Sequence, residues 1–221
     1  MSLWAIIPVK PLRRGKSRLA GVLSEEERTL LNYTMLAGTL RTVKAVPEIK
    51  HVLVISRDTA ALALARDFEA RTVQEDGSSD LNVALKRATV VAQLYAARSV
   101  LVLPADLPLL DVDGLREMID AAASPPSVII APDRHHESTN ALLVSPIGLI
   151  DYQFGPDSYA RHLQQAQKYH LPVAIFEHPS FALDLDTPED LEYLRRMESA
   201  GVLDLDNEEA RERLSAGWQD L

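Results

Sequence analysis

The sequence predicts an α/β fold, a three-layer sandwich with a mostly parallel central sheet. Three observations carry this. Strand-like and helix-like segments alternate over about 200 residues, the pattern of a sheet covered by helices. Val100 to Leu103 are four consecutive aliphatic residues with no polar alternation, as expected of a strand buried on both faces. The polar and charged clusters fall just after strands or just before helices, on the edge where open α/β sheets bind ligands.

Taken in order, Leu3 to Val9 reads as the first strand, with Pro8 at its carboxyl end and Pro11 just beyond. The stretch from Lys10 to Arg18 then carries five basic residues. It reads either as a solvated basic loop or as a phosphate-binding loop, with Gly15 permitting close backbone approach and Lys16 and Arg18 flanking Ser17. It is not a Walker loop, because the Gly-x-x-x-x-Gly-Lys-Ser/Thr spacing is absent. Ser24-Glu-Glu-Glu27 is a capping box that opens a helix to about Val43, with Leu31 and Met35 facing the core. His51 to Ile55 is the second strand, Thr59 to Glu69 an alanine-rich helix, and Arg71 to Gln74 a weakly marked third strand.

A turn-rich loop from Glu75 to Asp80 leads into a helix with Leu81, Ala84, Leu85, Ala88, Ala92 and Tyr95 on one face. Asp80 is its expected N-cap. Asn82, in the first turn, is either an exposed polar residue or an amide facing a ligand base. After the central strand, Pro104 and Pro108 block further pairing, since neither has an N–H. Asp106 stands between them. It reads either as a turn cap or as a ligand for Mg²⁺, which takes one or two carboxylates plus substrate oxygens.

A helix from about Asp113 to Ala123, a strand from Val128 to Ala131, a polar loop from Arg134 to Asn140 and a strand from Ala141 to Val144 follow. His135 and His136 lack the partner spacing of a metal site and read as solvated. Phe154-Gly-Pro-Asp-Ser158 opens a helix to about Tyr169, with Asp157 or Ser158 as the cap. Free N–H groups at such a helix start suit an anion. Pro172 to Phe176 is a strand. Ala182 to Asp186 reads as another, whose alternation points Asp184 and Asp186 the same way. Two like charges there need solvent, a cation or donors. Thr187-Pro-Glu-Asp190 starts a further helix, with Thr at the cap, Pro first and an acid third.

Residues 1–200 therefore read as one domain and 201–221 as an acidic C-terminal helix or tail. With 47% hydrophobic residues in 221, the chain can bury a substantial core. A net charge of -9 argues against a nucleic-acid partner. The absence of cysteine excludes disulfides and thiolate metal sites. No signal-peptide core or membrane-length apolar run is present, so the expectation is a soluble cytoplasmic protein.

Six pieces in order resemble the 2-phospho-L-lactate guanylyltransferase family. They are Ile6-Ile-Pro-Val-Lys-Pro-Leu12, Gly15-Lys-Ser-Arg-Leu19, Leu103-Pro-Ala-Asp-Leu-Pro-Leu109, Pro132-Asp133 with Thr139-Asn-Ala-Leu142, Phe154-Gly155 with Ser158 and His162, and Asp184-Leu-Asp-Thr-Pro-Glu-Asp-Leu191. The resemblance spans residues 3 to 195 and implies a Rossmann-like nucleotidyltransferase fold of the molybdenum-cofactor-guanylyltransferase kind. It also implies an activity: GMP passes from GTP to a small phosphorylated acid, 2-phospho-L-lactate or phosphoenolpyruvate, pyrophosphate leaves, and the product feeds coenzyme F-420 synthesis. The chain departs from the family pattern at Ser138 and Asp80, where glycine is common.

Carried over by position, the resemblance makes Lys16 and Asp106 catalytic. It assigns the nucleotide to Pro8, Lys10, Lys16, Arg18, Asp76, Asn82, Pro104 and Ala105, and the phospho-acid to Thr139, Asn140, Gly155 and Ser158. Mg²⁺ falls to Asp106, Asp184 and Asp186. The expected partners are GTP and the phospho-acid, with no nucleic acid or membrane, and a homodimer stays open. Two rivals stay open beside it. One is a same-fold enzyme using another nucleotide or acceptor, such as molybdopterin or a sugar phosphate. The other is an inactive nucleotide-binding regulator. A glycosyltransferase of related fold would favour Asp-x-Asp at the central strand end, and Asp106-Leu-Pro108 lacks it. A regulator would be expected to lose Lys16, Asp106 or the Asp184/Asp186 pair, and all are present.

Overall fold

Strands and helices alternate through the computed structural model, which describes residues 2–76, 80–122 and 124–199. The strands are β1 (Leu3–Val9), β2 (Ile49–Ser56), β3 (Arg71–Gln74), β4 (Ser99–Val102), β5 (Ser127–Pro132), β6 (Thr139–Ser145) and β7 (Val173–Ile175). The helices are α1 (Glu25–Lys44), α2 (Thr59–Asp67), α3 (Leu81–Leu94), α4 (Val112–Ala121), α5 (Ser158–Lys168), the short α6 (Pro179–Ala182) and α7 (Pro188–Ser199). The acidic tail expected over 201–221 lies outside the described residues. No described helix is long and apolar enough to cross a membrane.

The seven strands form one sheet in the order β3-β2-β1-β4-β6-β5-β7. β6 is antiparallel to β4 and to β5, while the other neighbours pair in parallel. The sheet is mostly parallel, as expected. Side-chain alternation divides the core in two. Leu3, Ala5 and Ile7 of β1 join Leu36 and Leu40 of α1, residues of α2 and Leu115 and Met118 of α4 on one face. Trp4 and Ile6 join Ala84, Leu85, Ala88 and Ala92 of α3 on the other. β4 does the same with Leu101 and Val100, and is buried along its whole length.

A third apolar cluster positions the polar chemistry. Leu19, Leu23 and Leu31 meet Leu185 and Leu191. Leu19 and Leu23 follow the basic loop, whose turns are two short 3-10 segments, Leu12–Arg14 and Ser17–Gly21. Leu185 stands between the two C-terminal acids. Burying these leucines together draws the basic loop against residues 184–186.

Four local expectations are corrected, one of them only in part. Residues 182–186 do not form a strand: Pro179–Ala182 is helical, capped by His178, and the residues after it are extended but outside the sheet. The apolar alternation reported burial of Leu183 and Leu185, not strand pairing. Leu81 and Tyr95 lie exposed at the ends of α3; Tyr95 instead stacks near Trp4, with the Arg71 guanidinium 4.1 Å from its ring centre. Asp157 holds the N-cap position of α5, as one of the two expected caps, but makes no side-chain capping bond. Finally, Thr139 and Asn140 belong to β6, not to the loop before it, and both are buried. The capping box at Ser24 and Glu27 and the Asp80 cap form as expected.

Candidate active site

The site lies at the carboxyl edge of β1 and β4. Beyond β1 the chain runs through half-buried Pro8 to exposed Lys10 and into the basic loop. That loop is held from below. Asp58 accepts from Leu12 N at 2.7 Å, and Asn32 donates to Leu12 O at 2.6 Å. A Cβ on Gly15 would come within 2.5 Å of the Asn32 amide, so the glycine permits this close approach. Lys16 follows in the left-handed region, at φ 54° and ψ 37°. Non-glycine residues rarely adopt it, and such conformations cluster where side chains must be aimed.

The Lys16 ammonium is aimed at two acids. Its Nζ lies 3.1 Å from Asp106 Oδ2 and 2.8 Å from Asp186 Oδ1. The lysine side chain is 5% exposed, whereas the two carboxylates are 31% and 39% exposed. Asp106 sits beyond half-buried Pro104 and Ala105, after β4 has ended. Its carbonyl accepts from Leu185 N at 3.0 Å, which ties the two acidic segments together.

The charges are tightly coupled. Burial alone would lower the Lys16 pKa, but Asp106 and Asp186 outweigh it and hold the ammonium above its ordinary value. Burial likewise works to raise Asp186. Lys16, with Lys10 and Arg18 nearby, outweighs it and holds this carboxyl below the usual range. Asp184 goes the other way. Burial first, then the charges of Asp106 and Asp186, push it up to about 6. Two carboxylates thus hold one buried ammonium, with a third crowded beside them.

Among the described residues no three acidic or imidazole groups form a ready metal cage. Asp106, Asp184 and Asp186 are nonetheless the right donors for Mg²⁺, which prefers hard oxygens and completes its shell with water and substrate phosphates. Asp184, raised by its acidic neighbours, marks a surplus of negative charge that a cation would relieve.

The expected nucleotide residues divide. Arg18 and Lys10 are exposed near Asp186, and Arg13 and Arg14 of the same loop are exposed too. Asp76 is exposed, and its carbonyl accepts from Arg87 at 2.9 Å. Asn82 is already engaged at both ends of its amide. Its Nδ2 donates to Phe154 O at 3.1 Å, and its Oδ1 accepts from Phe154 N at 2.8 Å. In this arrangement it clamps the segment before α5 to the start of α3, rather than presenting its amide to a base.

The expected phospho-acid residues also divide. Ser158 Oγ accepts from Thr139 N at 2.8 Å, and Ser158 N donates to Gly155 O at 3.1 Å. Thr139, Gly155 and Ser158 therefore meet. Asn140 does not join them; its amide donates to Phe181 O at 2.8 Å on the other face. Successive residues of a strand point to opposite faces, and Thr139 and Asn140 both belong to β6; Ala131 pairs with Ala141 and Pro132 with Thr139, so Asn140 is also the extra residue of a β-bulge. Fully buried His162 fixes the geometry. Its Nε2 accepts from Gln153 N at 2.9 Å, so Nδ1 carries the proton and donates to Thr139 Oγ1 at 2.9 Å. Burial, with Arg161 adding, lowers its pKa to about 4 and keeps the ring neutral.

The loop histidines bond to their surroundings: His135 accepts from Arg134 Nε, and His136 lies 3.2 Å from Glu177. Two residues that sequence reasoning passed over shape the acidic side. Asp190 closes the capping box announced by Thr187-Pro-Glu-Asp190, and Arg134 pairs with its second oxygen at 2.6 Å. The helix-start motif signalled the first partner. Nothing local signals the second.

The family model described as guanylyl transferase CofC like matches residues 3–197. The phosphoenolpyruvate guanylyltransferase of Rubrobacter xylanophilus is 38% identical over 201 residues, covering 91% of this chain and 96% of that protein. The 2-phospho-L-lactate guanylyltransferase of Methanobrevibacter ruminantium is 34% identical, covering 86% and 83%. Among solved structures, a nucleotidyl transferase from Methanothermobacter thermautotroptrophicus superposes with a TM-score of 0.67 at 16% identity, covering 90% of this chain and 97% of that one. A 4-diphosphocytidyl-2C-methyl-D-erythritol synthase gives 0.62 at 15%, covering 89% and 98%. These two likenesses establish the nucleotidyltransferase fold.

Proposed function

The chain belongs to the guanylyl transferase CofC-like family, and from that premise we propose that it transfers GMP from GTP to a small phosphorylated acid. The observation that carries the reading is the Lys16 ammonium set between Asp106 and Asp186, beside Asp184, at the carboxyl edge of the sheet. The acid is 2-phospho-L-lactate or phosphoenolpyruvate, and the product serves coenzyme F-420 synthesis. A relative named for phosphoenolpyruvate, from Roseiflexus castenholzii, is 39% identical and one named for 2-phospho-L-lactate 34%, so phosphoenolpyruvate is the first acid to test.

In this reading a phosphate oxygen of the acid attacks the α-phosphorus of GTP. A new P–O bond forms, the bond from the α-phosphorus to the bridging oxygen breaks, and pyrophosphate leaves. A phosphate monoester is largely dianionic near neutral pH, so no strong general base is required. The protein's work is positioning and charge neutralisation. Asp106, Asp184 and Asp186 would hold Mg²⁺, which when bound offsets the repulsion between attacking and leaving phosphates. Lys16 places a fixed ammonium beside those acids, within reach of the triphosphate. Lys10 and Arg18 add positive charge at the mouth of the site. The wall of Thr139, Gly155 and Ser158 receives the acid.

Incubation with Mg²⁺, each of GTP, ATP and CTP, and each phospho-acid, followed by mass detection, tests the proposal. The expected product is the guanylylated acid, formed with GTP alone. A product with ATP or CTP in its place, or none with any pairing, would overturn it.

A further inference from the structure

Residues 183–186 carry two of the site's acids yet lie outside the sheet, so no ladder fixes them. Three hydrogen bonds from the main chain do. Ala182 O accepts from Arg134 N at 2.8 Å, Leu185 N donates to Asp106 O at 3.0 Å, and Asp186 N donates to Asp190 Oδ2 at 3.1 Å. The first is main chain to main chain, and the third depends on the carboxylate of Asp190, which is paired with Arg134.

Asp190 is the hub. Its Oδ2 also accepts from Thr187 N and Thr187 Oγ1, both at 2.8 Å. Its Oδ1 receives Arg134 Nη2 at 2.6 Å, and the two side chains are only 24% and 13% exposed. Arg134 is itself braced. Its guanidinium lies 4.6 Å from the centre of the Tyr193 ring, and its Nε donates to His135. The loop that presents it is closed by Asp133 Oδ1, which accepts from Glu137 N and Ser138 N.

We propose that Arg134 is a positioning residue for the acidic site: through Asp190 it holds residues 183–187 so that Asp184 and Asp186 face Asp106 and Lys16. The physical reason is charge. Asp190 is a largely buried carboxylate close enough to Asp184 for the two to repel. Arg134 supplies the counter-charge that lets it stay there. Without it, a buried, unpaired carboxylate in an acidic neighbourhood turns toward water, and the Asp186 and Thr187 amides lose their acceptor. Arg134 acts on the site through Asp190.

The kinetic arm of the test rests on the guanylyl-transfer reading above; the exchange arm does not. Arg134→Met, Asp190→Asn, their double variant and Arg134→Lys are compared with the unmodified protein. Backbone amide exchange of a peptide spanning 183–190 is expected to quicken at least about tenfold in Arg134→Met, with β1 and β4 peptides unchanged. With GTP, Mg²⁺ and phosphoenolpyruvate, kcat falls about 10- to 100-fold, the cost of displaced catalytic groups, while the GTP KM stays within about threefold. The double variant is no slower than the slower single, since the two residues act as one unit. Arg134→Lys, which keeps the charge, recovers most of the exchange protection. A lower melting temperature with 183–190 protection and kcat both unchanged would reduce the pair to a structural tie and overturn the proposal. So would loss of protection without loss of kcat. If the unmodified protein transfers no GMP, the proposed function fails, and the exchange arm still decides whether Arg134 holds the segment.

Discussion

Replacing Asp184 by Asn should make the protein more stable at neutral pH while impairing its function. The carboxyl is raised from an ordinary 3.8 to about 6, by burial and then by Asp106 and Asp186. The folded chain therefore holds this proton more tightly than the unfolded chain. Stability from that source is complete below about pH 4 and is lost as pH rises through about 6. Above that, ionised Asp184 is a net cost. The raised pKa corresponds to at most about 3 kcal/mol, and solvent screening of a half-buried carboxylate brings it to about 1–2 kcal/mol. At this chain length each kcal/mol moves the melting temperature by about 2–4 °C. Thermal unfolding of Asp184→Asn at pH 7.5, without Mg²⁺ or nucleotide, should show a midpoint about 2–8 °C above the unmodified protein. The gap should close as pH falls to about 4. Equal or lower stability at pH 7.5, or a gap that does not depend on pH, would refute the crowding of three carboxylates. Turnover by the same variant should fall, because one expected Mg²⁺ ligand is gone.

Other substitutions probe the remaining parts. Asp106→Asn keeps the size and removes the charge; turnover at saturating Mg²⁺ should fall about 10²-fold or more with the fold intact, and near-normal turnover would remove Asp106 from the chemistry. Lys16→Met should weaken GTP binding by calorimetry and slow transfer by about 10²–10³-fold. Its melting temperature should fall, because Asp106 and Asp186 lose the cation that offsets their repulsion. Ser158→Ala strips the acceptor from buried Thr139 N, which costs about 1–3 kcal/mol. The phospho-acid KM should rise while GTP affinity stays unchanged; a stability loss with unaltered acid kinetics would move the acid elsewhere.

Much of this was legible in the sequence, for reasons particular residues make plain. The aliphatic run of Val100 to Leu103 announced the central strand because burial on both faces leaves no polar alternation. Ser24 to Glu27 and Thr187 to Asp190 announced helix starts because capping chemistry is local. The Asp-Leu-Asp alternation correctly put both acids on one side, yet misled on secondary structure. Leu185 is buried by Leu19, Leu31 and Leu191 rather than by a neighbouring strand, and alternation alone does not distinguish the two. Thr139 and Asn140 looked like neighbours in one pocket; because they belong to β6 and not to a loop, strand alternation sends them to opposite faces. The Lys16–Asp186 and Arg134–Asp190 pairs join residues 170 and 56 positions apart. Such contacts are set by the topology of the sheet, and no local pattern encodes them.

The central claim is that the α-phosphorus of GTP is transferred to a phospho-acid, and isotopic labelling tests it most directly. The protein is incubated with Mg²⁺, phosphoenolpyruvate or 2-phospho-L-lactate, and GTP labelled at either the α- or the γ-phosphorus. The account predicts α-label in the acid adduct and γ-label wholly in pyrophosphate. Label from the γ-position on the acid, or no label on either acid from either position, would contradict it.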